Sequence, residues 1–103
     1  MTYAITGQWG GGFQSSVKIT NGSANPINGW TLRWTFANGQ VISQLWNGSY
    51  TQSGGNVAVT NLDYNRVIAA NGGSAEFGFL ASWNGTNAKP TSFTVNNTAC
   101  TVA

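Results

Sequence analysis

The run GWTLRWTF, Gly29 to Phe36, does most to limit what this chain can fold into. Trp30, Leu32, Trp34 and Phe36 fall on one parity, and Thr31, Arg33 and Thr35 on the other. A period of two is the signature of a half-buried antiparallel strand, because successive side chains point to opposite faces of a sheet. The pattern recurs. Phe13, Ser15, Val17 and Ile19 alternate with Gln14, Ser16 and Lys18, and Phe77 and Phe79 alternate with Glu76 and Gly78. Val57 with Val59, and Phe93 with Val95, mark two shorter strands. No segment carries a 3.6-residue period.

Turn signals separate these runs: Gly10-Gly11-Gly12, Asn21-Gly22-Ser23, Asn28-Gly29, Asn38-Gly39, Gly54-Gly55, Asn71-Gly72-Gly73 and Asn84-Gly85. Asn and Gly accept the positive φ that tight hairpin turns require. Strands at this spacing predict an all-β domain, an antiparallel β-sandwich of the jelly-roll or immunoglobulin-like kind. With 103 residues and neither a linker nor an internal repeat, the chain reads as a single domain over residues 1–103.

Composition narrows the partners. Charged residues make up 6% of the chain, against about a quarter in an ordinary soluble domain. The net charge of +2 comes from Lys18, Arg33, Arg66 and Lys89 against Asp63 and Glu76. These positions form no basic stripe, so no nucleic-acid partner is expected. No apolar run approaches the roughly 18 residues of a membrane-spanning helix, and no membrane partner is expected. The remaining surface is Asn, Ser, Thr, Gln and Gly, which suits a neutral polyhydroxyl ligand. Met1 is followed by no secretory leader, which fits a removed signal or a module of a longer chain.

Catalysis is not expected. A glycoside hydrolase needs two carboxylates in a cleft, and the chain offers one acid in a loop, Asp63, and one on a strand, Glu76. There is no His to act as a base or metal ligand, and Cys100 stands alone, so neither metal nor cofactor is expected. An immunoglobulin domain's Cys…Trp…Cys core pattern is also missing.

The aromatic residues then divide. Trp30, Trp34, Phe13, Phe36, Phe77, Phe79 and Phe93 lie in apolar rhythm and read as core, and Tyr3 as partly buried. Trp9, Trp46 and Tyr64 do not: each stands at the edge of an element among small or polar neighbours, in TGQWGGGF, SQLWNGSY and NLDYNRVI. Trp83, in ASWNGTNA, has similar surroundings and is a weaker fourth candidate. Such rings either fold back over the sandwich ends or remain exposed. An exposed planar ring suits a sugar, whose face of C–H groups stacks on it. A stack contributes roughly 1–3 kcal/mol before ordering costs.

Over essentially its whole length the chain resembles the family 2 carbohydrate-binding modules, most closely the type that binds crystalline cellulose. The resemblance is carried by GWTLRWTF, the Gly39-Gln40 turn, WNG followed by TQSG, and FGF, all in family order. It implies a sandwich of about nine strands with three aligned aromatics on a flat face, at Trp9, Trp46 and Tyr64. Tyr64 stands where the family has Trp, a smaller ring that bears on affinity or preference. The resemblance also implies flanking polar contacts from Gln44, Glu76 and Gln8. Arg66 has no assigned role. The family ties its ends with a disulfide: Cys100 matches the C-terminal member, and the other would fall just before Met1. The implied partner is cellulose, with chitin or xylan as alternatives. The xylan-binding type lacks the loop represented here by NLDYNRVIAANGG. The module is expected to be a secreted, extracellular, monomeric part of a larger enzyme.

Overall fold

The computed structural model describes residues 1–100. Among them are eleven strands: β1 (Thr2–Trp9), β2 (Gly12–Asn21), β3 (Ile27–Asn28), β4 (Thr31–Thr35), β5 (Val41–Trp46), β6 (Ser49–Ser53), β7 (Asn56–Thr60), β8 (Val67–Ile68), β9 (Gly73–Ser82), β10 (Phe93–Val95) and β11 (Thr98–Ala99). One turn of 3₁₀ helix, Asp63–Asn65, lies between β7 and β8. Nine strands build the sandwich: a four-stranded sheet in the order β1-β2-β9-β5 and a five-stranded sheet in the order β11-β10-β4-β7-β6. The two-residue strands β3 and β8 pair with each other. The pairs within the sheets are antiparallel, as the alternation predicts.

The core lies where the inner faces meet. Trp34 on β4 is its centre, with its ring centroid 5.6 Å from Phe93, 5.7 Å from Phe36, 5.9 Å from Phe79 and 6.2 Å from Phe77. Trp30 stacks on Phe77 at 5.9 Å. All the aromatics read as core are buried, and Tyr3 is buried more completely than expected, packed against Phe79 and Phe93. Offset and edge-to-face contacts of this kind add to the burial of area, which matters in a domain this small.

The ends of the described chain meet. Met1 and Cys100 line one groove with Ile19, Ile27 and Val95. Cys100 is a free thiol, half-buried, and burial raises its pKa.

Candidate functional site

The outer face of the four-stranded sheet is the platform, and two β-bulges decide what stands on it. In sequence Tyr3, Ile5 and Trp9 share a parity, so a regular β1 would send all three to the core. The register breaks instead between Ile5 and Gly7: Ile5 faces Ser15, Gly7 faces Gln14, and Thr6 is the extra residue. Tyr3 and Ile5 therefore point in and Gly7 and Trp9 point out. The same device acts on β5. The register breaks between Ile42 and Gln44, with Ser43 as the extra residue, so Ile42 points in while Gln44 and Trp46 point out. A one-residue shift moves every following side chain to the other face. Each extra residue bonds back to the facing strand: Thr6 Oγ1 donates to the Gln14 carbonyl at 3.3 Å, and Ser43 Oγ to the Leu80 carbonyl at 3.2 Å.

Each tryptophan then lies against a glycine directly across the sheet. Trp9 pairs with Gly12, and Trp46 with Gly78. A Cβ at Gly78 would sit 2.6 Å from three atoms of the Trp46 indole, and one at Gly12 would sit 2.7 Å from Cε2 of Trp9. Any larger residue would lift the ring off the sheet. Packed in this way, Trp9 is 51% exposed and Trp46 37%. Gly12 shares a row with Ser82, and Ser16, four residues further along β2, shares a row with Gly78. Taking about 3.4 Å per residue and about 4.8 Å between strands, the two glycines beneath the rings lie about 14 Å apart.

Tyr64 extends the line beyond the end of β5. It sits on the 3₁₀ turn, 71% exposed, and its hydroxyl donates to Asn47 Oδ1 at 2.6 Å. Asn65 Nδ2 donates to the Asn47 carbonyl at 2.7 Å, and Trp30 Nε1 donates to the Asn65 carbonyl at 2.9 Å. The turn that carries Tyr64 is thus tied both to the residue after Trp46 and to a core indole.

Of the other predicted residues, Gln44 is exposed in the row between the two tryptophans, across from Leu80 and Gln14. Glu76 is exposed across from Lys18 and lines a shallow depression with Gln14, Ser16, Trp46, Asn47 and Gly78. Gln8 is not brought together with them. It faces Phe13 across the sheet, on the opposite side of β1 from Trp9, and its Oε1 accepts from Asn87 Nδ2 at 3.3 Å. Trp83 is half-buried, and its Nε1 donates to the carbonyls of Trp9 and Gly12, both at 3.0 Å. It supports the turn that bears Trp9. The Arg66 carbonyl accepts from Gly29 N at 2.6 Å while its side chain is exposed. Gln14 and Ser16 on this face were not singled out in the sequence, although their outward parity on β2 was legible. Asn47 left no such signal, because its role depends on a residue 17 positions away.

A β-sandwich with planar side chains laid along one open sheet face is a surface-binding domain, shaped to meet a flat ligand rather than to enclose a small one. Comparison with known proteins gives the family. The sequence model described as "Cellulose binding domain" matches residues 1–100, and the chain belongs to that family. It is 52% identical over 84 residues to Endoglucanase A of Thermobispora bispora, covering 82% of this chain and 18% of that protein's length. Among solved structures it is similar to the cellulose-binding family 2 domain from ScLPMO10C, with 40% identity, a TM-score of 0.67 and coverage of 85% of this chain and 86% of that one. It is also similar to the chitin-binding domain of Chi18aC from Streptomyces coelicolor, with 28% identity, a TM-score of 0.72 and coverage of 96% and 90%.

Proposed function

We propose that this cellulose-binding domain docks on the crystalline face of cellulose through Trp9, Trp46 and Tyr64. The observation that carries the reading is the pair of bulges and facing glycines that turn two indoles outward and seat them on the sheet, in line with the tyrosine. Gln44 and Glu76, between and beside the rings, hydrogen-bond to sugar hydroxyls, and Gln14 and Ser16 lie within the same footprint. Gln8 falls outside it. One stacked ring gives weak binding, about 1–3 kcal/mol before ordering costs. Three rings on a rigid sheet add together, because little of the site has to be ordered on contact.

The domain does no chemistry of its own. Glu76 stands on an open sheet face and Asp63 beside Tyr64 on the turn. Its role is to hold a parent glycoside hydrolase or oxidase against its substrate. The endoglucanase relative, of which the chain spans 18%, supports that role. Such a parent acts outside the cell, so we place the protein as secreted, with the domain monomeric.

Chitin is the second reading, favoured by the 28% identity to a chitin-binding domain over nearly the whole chain. The test is depletion from solution by microcrystalline cellulose, with chitin and insoluble xylan alongside, for wild type and Trp46→Ala. Wild type is expected to deplete most strongly on cellulose, and Trp46→Ala to lose about tenfold or more in affinity. Equal depletion of the two proteins would remove Trp46 from the contact. Stronger depletion on chitin would move the assignment to the second reading.

A further inference from the structure

We propose that Asn47 is a positioning residue that fixes the ring of Tyr64 beside Trp46 before the polysaccharide arrives. The inference rests on the aromatic-platform reading and deepens it. An exposed tyrosine on a one-turn 3₁₀ segment would ordinarily change rotamer freely, and a ligand would have to stop it. Here the ring is held at its far end, where Tyr64 Oη donates to Asn47 Oδ1 at 2.6 Å. The base of the turn is held as well: Asn65 Nδ2 reaches the Asn47 carbonyl at 2.7 Å, Leu62 N donates to Asn65 Oδ1 at 2.7 Å, and buried Trp30 donates to the Asn65 carbonyl at 2.9 Å.

Asn47 is suited to receive both bonds. Its φ is 62°, in the left-handed region that Asn tolerates better than most residues. It follows Trp46 directly, so the second and third rings share one anchor. The hydroxyl is therefore what makes a tyrosine at this position more than a smaller ring. It converts a mobile side chain into part of a rigid surface, and phenylalanine offers no such bond.

The test compares Tyr64→Phe, Asn47→Gly, the double variant and Asn47→Asp on microcrystalline cellulose, each with a thermal unfolding curve. Glycine keeps the positive φ and the backbone carbonyl but removes the acceptor, and aspartate keeps an acceptor. Each single variant is expected to bind about two- to tenfold more weakly, the cost of stopping one free side chain. The double variant should be no weaker than either single one, since both remove the same bond, and Asn47→Asp should bind like wild type. Losses that multiply in the double variant would overturn the proposal. So would a weakened Tyr64→Phe beside an unchanged Asn47→Gly, which would mean that the hydroxyl acts on the sugar directly. Wild-type binding by Tyr64→Phe would overturn it even if Asn47→Gly fails to fold. Trp46→Ala separates the two readings: if it binds normally the platform itself fails, whereas loss there with full binding by Tyr64→Phe sinks the anchor alone.

Discussion

The chain contains two Trp-Asn-Gly turns, at Trp46 and at Trp83, and the structure treats them in opposite ways. Trp46 is the last residue of β5, faces Gly78 across the sheet and leaves its ring at the surface. Trp83 follows the last residue of β9, so no sheet row lies beneath it. It folds onto the β1–β2 turn and gives its N–H to the carbonyls of Trp9 and Gly12. The immediate neighbours are nearly the same, so they do not set the outcome. What differs is the register before the turn and the residue across the strand. An indole stays outward here only where a bulge aims it and a glycine receives it.

The largest effect expected from this comparison comes from removing a bulge. Deleting Ser43 restores regular alternation along β5. Either Ile42, now buried, turns to water, or Trp46 turns into a core already filled by Phe79 and Phe77. Overpacking or exposing such a residue costs about 3 kcal/mol or more, a large share of a small domain's stability. We expect a protein that is largely unfolded by circular dichroism, or one that folds without binding cellulose. A folded protein with wild-type binding would show that the bulge does not aim the ring.

Next comes the contrast between the two indoles. Trp83→Ala loses packing against the core and leaves two turn carbonyls without their donor, so it is expected to destabilise by about 3 kcal/mol. Trp46→Ala removes a ring with one side in water and should cost less than about 1 kcal/mol in stability, even as binding falls. Thermal and denaturant unfolding of the pair checks this. Similar losses of stability would make Trp46 a packing residue after all.

Tyr3 and Trp9 make the same comparison within one strand, since they share a parity and stand on opposite faces. Burial pushes the Tyr3 hydroxyl up to about 12, partly offset by the nearby Ser15. The native state thus holds the Tyr3 proton above pH 10, where the unfolded chain releases it. Stability that is intact below about pH 10 should fall by about 2–3 kcal/mol as pH rises to about 12. Denaturant unfolding across that range should show the fall in wild type and a shallower one in Tyr3→Phe. The same slope in both proteins would assign the fall to other groups.

These contrasts also show what the sequence could tell. Trp30, Leu32, Trp34 and Phe36 were legible as core because β4 is regular from end to end, and period two survives wherever the ladder is unbroken. Trp9 and Trp46 could be picked out only by their polar surroundings, and their parity pointed the wrong way. A bulge is one extra residue, Thr6 or Ser43, with no strong composition of its own, and it is fixed by pairing with a distant strand. Family resemblance supplied the three rings without the mechanism that exposes them. It also suggested Gln8, which adjacency to Trp9 places on the far side of the strand. The bond from Tyr64 to Asn47 was invisible for the same reason as the bulges, since two loops must first be brought together by the fold.

The smallest effect is the most discriminating, because its sign changes. Gly78 has no positive φ that would demand glycine, so its backbone would accept a side chain. Only the Trp46 ring forbids one, at 2.6 Å from the added Cβ. In wild type, Gly78→Ala must lift the ring, which should cost about 1 kcal/mol of stability and weaken cellulose binding a few-fold. In the Trp46→Ala background the obstruction is gone, and alanine is a better strand residue than glycine by about 0.5–1 kcal/mol. There Gly78→Ala should stabilise. A double-mutant cycle read by denaturant unfolding measures the difference, and a change of the same sign in both backgrounds would mean that the ring does not rest on Gly78. The expected reversal would identify that glycine as a seat kept vacant for an indole, at a measurable cost to the strand that carries it.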